Sequence, residues 1–256
     1  HDSREFCRTM LRTLFVAVFL TLYTLLLGPP LLLYSLAVRD ADLIYRVGVG
    51  GVMFAVRAVG VKIRVEGLEH IPPGPCLFVA NHTSSADAPA VVGSIPRRVA
   101  ILLKKSLLKI PIVGQAFALA GFVPVDRSDH ESAMASLEST AQALRNGTSF
   151  LVYPEGTRSP DGRLQAFKKG AVVMAINAGV AIVPIACSGA HHVMRKRSLR
   201  IRPGEIVVRF CPPIDASCYT FERRDELNAL VRAALAAALP ADQRPADLAA
   251  THTSPA

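Results

Sequence analysis

The chain has 256 residues, 51% of them hydrophobic, and Lys plus Arg outnumber Asp plus Glu by 29 to 20. That apolar content places one substantial core beyond question, while five scattered cysteines without a C-x-x-C pair exclude a closed disulfide framework and point to a reducing compartment. The net charge of +9 favours partners that carry phosphate or carboxylate: nucleic acid, an anionic membrane surface, a phosphorylated substrate or an acidic protein.

Residues 13–38 are almost wholly apolar, with Arg4, Arg8 and Arg12 before them and Arg39 after. Membrane association is therefore the first functional expectation. A span needs about 20 apolar residues. Gly28-Pro29-Pro30 interrupts this run, leaving a first piece of about 15 residues that reaches only ~22 Å. Three readings stay open: a tilted or kinked span, a helical hairpin that dips into one leaflet and continues through the Gly-rich segment 41–60, and a cleaved signal peptide with Ser35 and Ala37 near its cleavage site. Residues before Met10 carry no weight in the choice.

Beyond residue 60 short apolar runs alternate with helical stretches. Strands are expected at 61–65, 76–80, 99–103, 122–125, 149–152, 181–186 and 206–210. A helix over 129–145 opens with the capping-box pattern Ser128-x-x-Glu131, carries Met134, Leu137, Ala141 and Leu144 on one stripe, and stops at Asn146-Gly147. Further helices are expected over 168–178 and 221–238. The alternation predicts an α/β fold: a central, largely parallel or mixed sheet of about seven strands flanked by helices. Three regions result: an N-terminal apolar membrane-associated helical segment (1–60), an α/β domain (61–239) and a disordered tail (240–256).

In such sheets chemistry collects beyond the C-terminal strand ends. After strand 76–80 comes N-H-T-S-S-A-D, where Thr83, Ser84 and Ser85 offer helix N-caps and a loop His82 can meet Asp87 at the helix start. A carboxylate that holds one imidazole tautomer makes a general base able to deprotonate an alcohol; the same pair is also ordinary capping chemistry. G-F-V-P-V-D-R ends in Arg127, which solvation alone would explain. Y-P-E-G-T-R-S offers Glu155 as acceptor and Arg158 as a planar fork for phosphate oxygens, or a pair that merely holds the loop. Lys168 and Lys169 stand at a helix start, where cations oppose the dipole unless they face solvent or an anion. Lys104, Lys105 and Lys109 interleave with leucines, as on a membrane-lying segment or an ordinary wet helix face. His191, His192 and the Arg195-Lys196-Arg197 run read as surface, without a ligand set for a metal. Cys76, Cys187 and Cys211 read as packing.

No phosphate loop, H-E-x-x-H or G-x-S-x-G occurs, and Gly48-x-Gly50 is followed by Met53 instead of a third glycine. Nucleotide hydrolysis, zinc proteolysis and serine-nucleophile hydrolysis lose most of their support.

Taken in order, N-H-x-x-x-x-D (81–87), G-F-V-P-V-D-R (121–127), Y-P-E-G-T-R-S (153–159) and V-P-I (183–185) resemble the four blocks of the glycerophospholipid acyltransferase family, nearest its bacterial 1-acyl-sn-glycerol-3-phosphate branch. The resemblance covers about residues 60–215; Tyr153 and Pro124 stand where phenylalanine is commoner. It implies His82 as general base and Asp87 as its orienting partner. Asn81, Arg127, Glu155, Gly156, Thr157 and Arg158, with Lys105 and Lys168, would form the acceptor-binding surface, and Val183, Pro184 and Ile185 the acyl side. It further implies acyl-CoA or acyl carrier protein as co-substrate, a lysophospholipid acceptor and membrane lipids as partners. No metal, cofactor or nucleic acid is expected. The place implied is a bacterial inner membrane, with the catalytic domain facing the cytoplasm where thioester donors are found.

Overall fold

A computed structural model describes residues 2–125 and 130–245. Eight strands form one sheet: β1 (Val61–Glu66), β2 (Cys76–Ala80), β3 (Ala100–Lys104), β4 (Val123–Val125), β5 (Phe150–Val152), β6 (Ala181–Ser188), β7 (Gly204–Phe210) and β8 (Ile214–Asp215). The order is β1-β7-β6-β2-β5-β3-β4, with β8 also on β6. All pairings are parallel except those of β7 and β8 with β6. The seven expected strands all form, and β8 is the addition. It continues along the β6 edge used by β7 after Pro212-Pro213, which have no N–H to give a ladder.

β2 is buried along its whole length because both sheet faces are covered. Cys76, Phe78 and Ala80 point into one core layer with Val183, Ile185 and Val208, while Leu77 and Val79 point into the other with Phe150 and Val152. The first layer packs against α2 (Asp42–Ala58) and α3 (Asp87–Ser94). The second packs against α5 (His130–Arg145), α6 (Gly170–Ala178) and α8 (Arg224–Ala238). Within α5, Ala141 and Leu144 are fully buried, but Met134 is exposed. The capping box expected at Ser128 and Glu131 lies outside the residues whose side chains are described.

The apolar N-terminal run is one helix, α1 (Asp2–Val38), and Gly28-Pro29-Pro30 does not divide it. Pro29 and Pro30 cannot donate to the carbonyls of Leu25 and Leu26, yet their fixed φ is helical and the backbone carries on. Residues Phe6–Val38 are long and apolar enough to cross a membrane, by length and composition. α1 turns back at Arg39, which has φ 57°, and packs on α2 as an antiparallel hairpin. Tyr23 Oη donates to Val47 O at 2.9 Å and Phe19 meets Phe54. A Cβ at Gly51 would sit 2.3 Å from the Tyr23 ring, so only glycine lets the helices approach here. At the tip, Arg98 pairs with Asp42 at 2.8 Å and Asp40 at 3.7 Å, tying the hairpin to the α/β domain.

Residues 240–245 are not a loose tail. Ala241–Gln243 form a 3-10 turn, Gln243 is buried, and its carbonyl accepts from Leu164 N at 2.9 Å.

Candidate active site

β2 and β5 are adjacent and parallel, pairing Val79 with Val152. Their C-terminal ends therefore open at the same sheet edge, and the loop that starts at Asn81 meets the loop that starts at Tyr153. Asn81 closes the seam to β6 from the other side. Its Nδ2 donates to Cys187 O at 2.8 Å and its Oδ1 accepts from Cys187 N at 2.7 Å. This buried clamp fixes the residue before His82.

His82 Nδ1 lies 3.0 Å from Asp87 Oδ2. Asp87 is fully buried, and the same oxygen accepts from Thr83 N at 2.6 Å and Ser84 N at 2.7 Å. Around Oδ1 stand Thr83 Oγ1 at 3.4 Å and Cys187 Sγ at 3.7 Å. These donors satisfy the hydrogen-bonding needs of a carboxylate buried out of reach of water. Asp87 Oδ2 accepts a hydrogen bond from Nδ1–H, which leaves Nε2 without a proton in a side chain still 21% exposed. Of the expected caps, Ser84 is used: its Oγ accepts from Ala86 N at 3.0 Å at the entry to α3, while Ala86 itself offers no side-chain cap. The Asp87 carboxylate turns back to the N–H groups that precede the helix.

The second loop holds His82 by its backbone. Glu155 Oε1 accepts from His82 N at 2.7 Å, and Ser159 N donates to His82 O at 2.7 Å. Glu155 is buried, its other oxygen taking Gln165 Nε2 at 2.9 Å and Gln165 N at 3.3 Å. Burial outweighs these donors and pushes its carboxyl up to about 7. The Tyr153 ring stacks on the imidazole with centroids 4.3 Å apart. Its hydroxyl is buried without a hydrogen-bond partner among the described residues, and burial, then Asp87, raises its pKa well above the usual phenol range. Arg158 Nη1 donates to Ser85 Oγ, so the guanidinium lies across the two loops beside His82.

A half-buried imidazole, a sealed carboxylate behind it and a guanidinium on the adjoining loop have the chemistry to accept a proton and to meet an anion. Residues 62–188 match the family described as acyltransferase. The 1-acyl-sn-glycerol-3-phosphate acyltransferase of Limnanthes douglasii is 33% identical over 198 residues, covering 77% of this chain and 69% of the relative. The chain belongs to the acyltransferase family.

The human 1-acyl-sn-glycerol-3-phosphate acyltransferase alpha is 35% identical over 157 residues, 60% of this acyltransferase and 56% of that one. The chain spans 69%, 66% and 61% of its relatives from Limnanthes douglasii, Limnanthes alba and Cocos nucifera. The crystal structure of the 1-acyl-sn-glycerophosphate (LPA) acyltransferase PlsC from Thermotoga maritima superposes with a TM-score of 0.79 at 29% identity, over 90% of this chain and 94% of that one. The likeness thus takes in the apolar hairpin as well as the α/β domain.

Within this acyltransferase the site residues read from the sequence divide into two groups. Asn81, His82, Asp87, Glu155 and Arg158 come together, and Gly156 and Thr157 sit between the last two. Gly156 has φ 74°, and a Cβ there would lie 2.9 Å from Lys168 Cε, so the Lys168 side chain runs over this turn. α6 begins after the two lysines: Lys168 N donates to Pro154 O, and Lys169 pairs with Asp225 at 2.8 Å rather than with an anion. Lys105 is exposed in the 3-10 turn Lys105–Lys109, with no hydrogen bond or ion pair to the His82 cluster. Arg127 lies outside the described residues.

Val183, Pro184 and Ile185 are buried in the centre of β6, with Val183 and Ile185 facing the core layer of α3. An apolar space lies elsewhere. A cavity of about 360 Å³ lies between the hairpin, α3, β3 and α4 (Val113–Leu119), its wall including Tyr23, Leu27, Gly48, Val92, Ile101 and Phe117. Ala88 and Pro89 also line it, so its wall starts one residue beyond Asp87.

Tyr153, Gln165 and Cys187 were not assigned site roles from the sequence. Tyr153 stood out as a departure from phenylalanine. Nothing local marks Gln165 or Cys187, whose contacts to Glu155 and Asp87 span ten and one hundred residues.

Proposed function

We propose that this acyltransferase moves a fatty acyl group from a thioester to the free hydroxyl of 1-acyl-sn-glycerol 3-phosphate, forming phosphatidic acid. The observation that carries the reading is the His82–Asp87 pair, with Nε2 open to solvent and Arg158 beside it. The names of the relatives supply the acceptor. His82 Nε2 takes the hydroxyl proton, and the oxygen attacks the thioester carbonyl carbon. The C–S bond breaks, and the departing thiolate takes the proton from His82. Asp87 keeps Nδ1 protonated and offsets the imidazolium charge as it forms. Arg158 and Arg127 would bind the acceptor phosphate, with Lys168 and Lys105 adding charge. The chemistry calls for neither metal nor cofactor; the donor is acyl-CoA or acyl carrier protein, both acidic partners for a chain of net charge +9.

The 360 Å³ cavity is the proposed acyl site in place of the β6 residues, because it is apolar and begins beside Asp87. α1 is proposed to lie in one membrane leaflet. Its outer face exposes Leu14, Leu22, Leu26, Leu33 and Leu36, while the hairpin tip carries the Asp40, Asp42 and Arg98 cluster, which belongs in water. In a bacterial cell this means the inner membrane, with the α/β domain on the cytoplasmic side where thioesters are made.

Thiol release by the purified protein tests the reading, with one long-chain acyl-CoA and lysophosphatidic acid, glycerol 3-phosphate or uncharged monoacylglycerol. Release stimulated by lysophosphatidic acid and lost in His82→Ala supports it. Release without acceptor dependence means thioesterase action, and preference for glycerol 3-phosphate moves the acceptor.

A further inference from the structure

The segment 194–202, M-R-K-R-S-L-R-I-R, contains the Arg195-Lys196-Arg197 run that reads as surface in the sequence, and it connects the loops around His82 and Arg158 with α1. At one end Met194 O accepts from Ser84 Oγ at 2.7 Å, and Lys196 Nζ donates to Arg158 O. At the other, Ile201 N donates to Thr13 Oγ1 at 3.1 Å, and the Arg200 guanidinium lies 4.7 Å over the Phe6 ring. Between these anchors the segment faces outward. Arg195, Arg197, Arg200 and Arg202 are exposed, and none of them makes an ion pair among the described residues.

Leu199, in the middle of them, is 80% exposed, the largest value among the exposed large hydrophobic residues described. An apolar side chain displayed at the apex of an arginine cluster gains nothing from water. An acidic soluble partner would use the charges but leave Leu199 unexplained. A lipid surface uses both: headgroup phosphates for the guanidinium groups and the acyl boundary for the leucine. Continuity with α1 points the same way, because Phe6 and Thr13 sit at the end of the helix whose outer face is apolar.

We infer that residues 195–202 form a second membrane contact, which docks on anionic phospholipid headgroups with Leu199 inserted among them. The contact holds the loop carrying Arg158 at headgroup level. Each arginine contributes roughly a fivefold gain in affinity for an anionic surface, and three together on the order of 100-fold. This inference goes beyond the proposed reaction and does not depend on it.

The test uses the full chain carrying Cys7→Ser, Cys218→Ser and Leu199→Cys, labelled with an environment-sensitive fluorophore; Cys76, Cys187 and Cys211 are buried. The protein is mixed with vesicles of phosphatidylcholine alone, or of phosphatidylcholine and phosphatidylglycerol in equal parts. The expected result is a blue shift that is much larger on the anionic vesicles, is reversed by salt, and is lost in the triple variant R195Q/R197Q/R202Q. A second label at Leu26→Cys on α1 should still shift in that variant, showing that the hairpin remains folded and inserted. A Leu199 label that stays in water on both vesicles, or shifts equally on both, overturns the inference. So does a shift produced by acyl-CoA or an acidic acyl carrier without vesicles, which would make the surface a donor dock. None of these readouts requires turnover, so failure of the acyl-transfer reading leaves the result interpretable.

Discussion

Glu155 Oε1 accepts a hydrogen bond from His82 N at 2.7 Å, so the loop after β5 grips the backbone of the residue that carries the reactive imidazole. With Ser159 N on His82 O and Asp87 on Nδ1, both backbone polar groups and one ring nitrogen of His82 are committed. Nε2 is what remains for substrate.

Replacing Asp87 by Asn tests the tautomer argument. The uncharged amide has a single oxygen for the N–H groups of Thr83, Ser84 and the ring, so Nδ1 loses the charged acceptor that fixes its proton and offsets an imidazolium. Asp87→Asn should lower kcat by on the order of 10²–10⁴, the range of general acid–base contributions, and His82→Ala by at least as much. Circular dichroism confirms folding of both. Turnover within a few-fold of the parent in either variant would falsify the base assignment.

Asn81→Ala removes the clamp to β6 and leaves the buried N–H and C=O of Cys187 without partners. The expected loss is about 2–4 kcal/mol of stability, from two orphaned backbone groups. Urea denaturation of the detergent-solubilised protein reads it directly. An unchanged midpoint would mean that the strand ends are held without Asn81.

The Glu155 carboxyl, raised from 4.5 to about 7 by burial, makes a definite pH signature. A group whose folded pKa lies above its unfolded value stabilises the fold fully below the unfolded pKa, and that contribution disappears as pH rises through the folded pKa. The stability difference between the parent and Glu155→Gln should therefore shrink from about pH 4.5 to about pH 7, by on the order of 3 kcal/mol. Thermal denaturation of both proteins across that window provides the check. A difference that grows with pH would show the carboxyl to be ionised at ordinary acidity.

Arg158→Ala separates acceptor from donor. Losing one charge-assisted phosphate contact should raise KM for lysophosphatidic acid roughly 10- to 100-fold with little change in KM for the thioester. Equal increases for both substrates would remove Arg158 from a selective role at the phosphate.

Gly48 lines the cavity, and a Cβ there would meet no heavy atom within 4 Å. Gly48→Leu should narrow the cavity while favouring the α2 helix by about 1 kcal/mol or somewhat less. The preferred acyl chain should shorten, read by competition between acyl-CoA lengths. A stabilised protein with unaltered chain preference would place the acyl group outside this cavity.

Much of this protein is determined by short-range pattern. Apolar runs buried on both faces read as strands at all seven expected places, because a doubly covered sheet leaves no polar position in its centre. His82 and Asp87 were legible together because five residues of loop and helix start bring them within reach whatever the rest of the chain does. Other features depend on contacts that no local spacing encodes. Parallel pairing of β2 with β5 is what sets Glu155 under His82, and β6 on the far side of β2 brings Cys187 to Asp87. Whether Val183 and Ile185 face an open space or the core depends on such contacts too, and the structure buries both in the core. An apolar strand residue looks alike whether it faces a cavity or a core, and the packing of α1, α2 and α4 over α3 decided where the space was left. The helix that runs through Pro29 and Pro30 was likewise beyond a local rule, since proline only withdraws two N–H donors, and packing against α2 and α4 outweighs their loss.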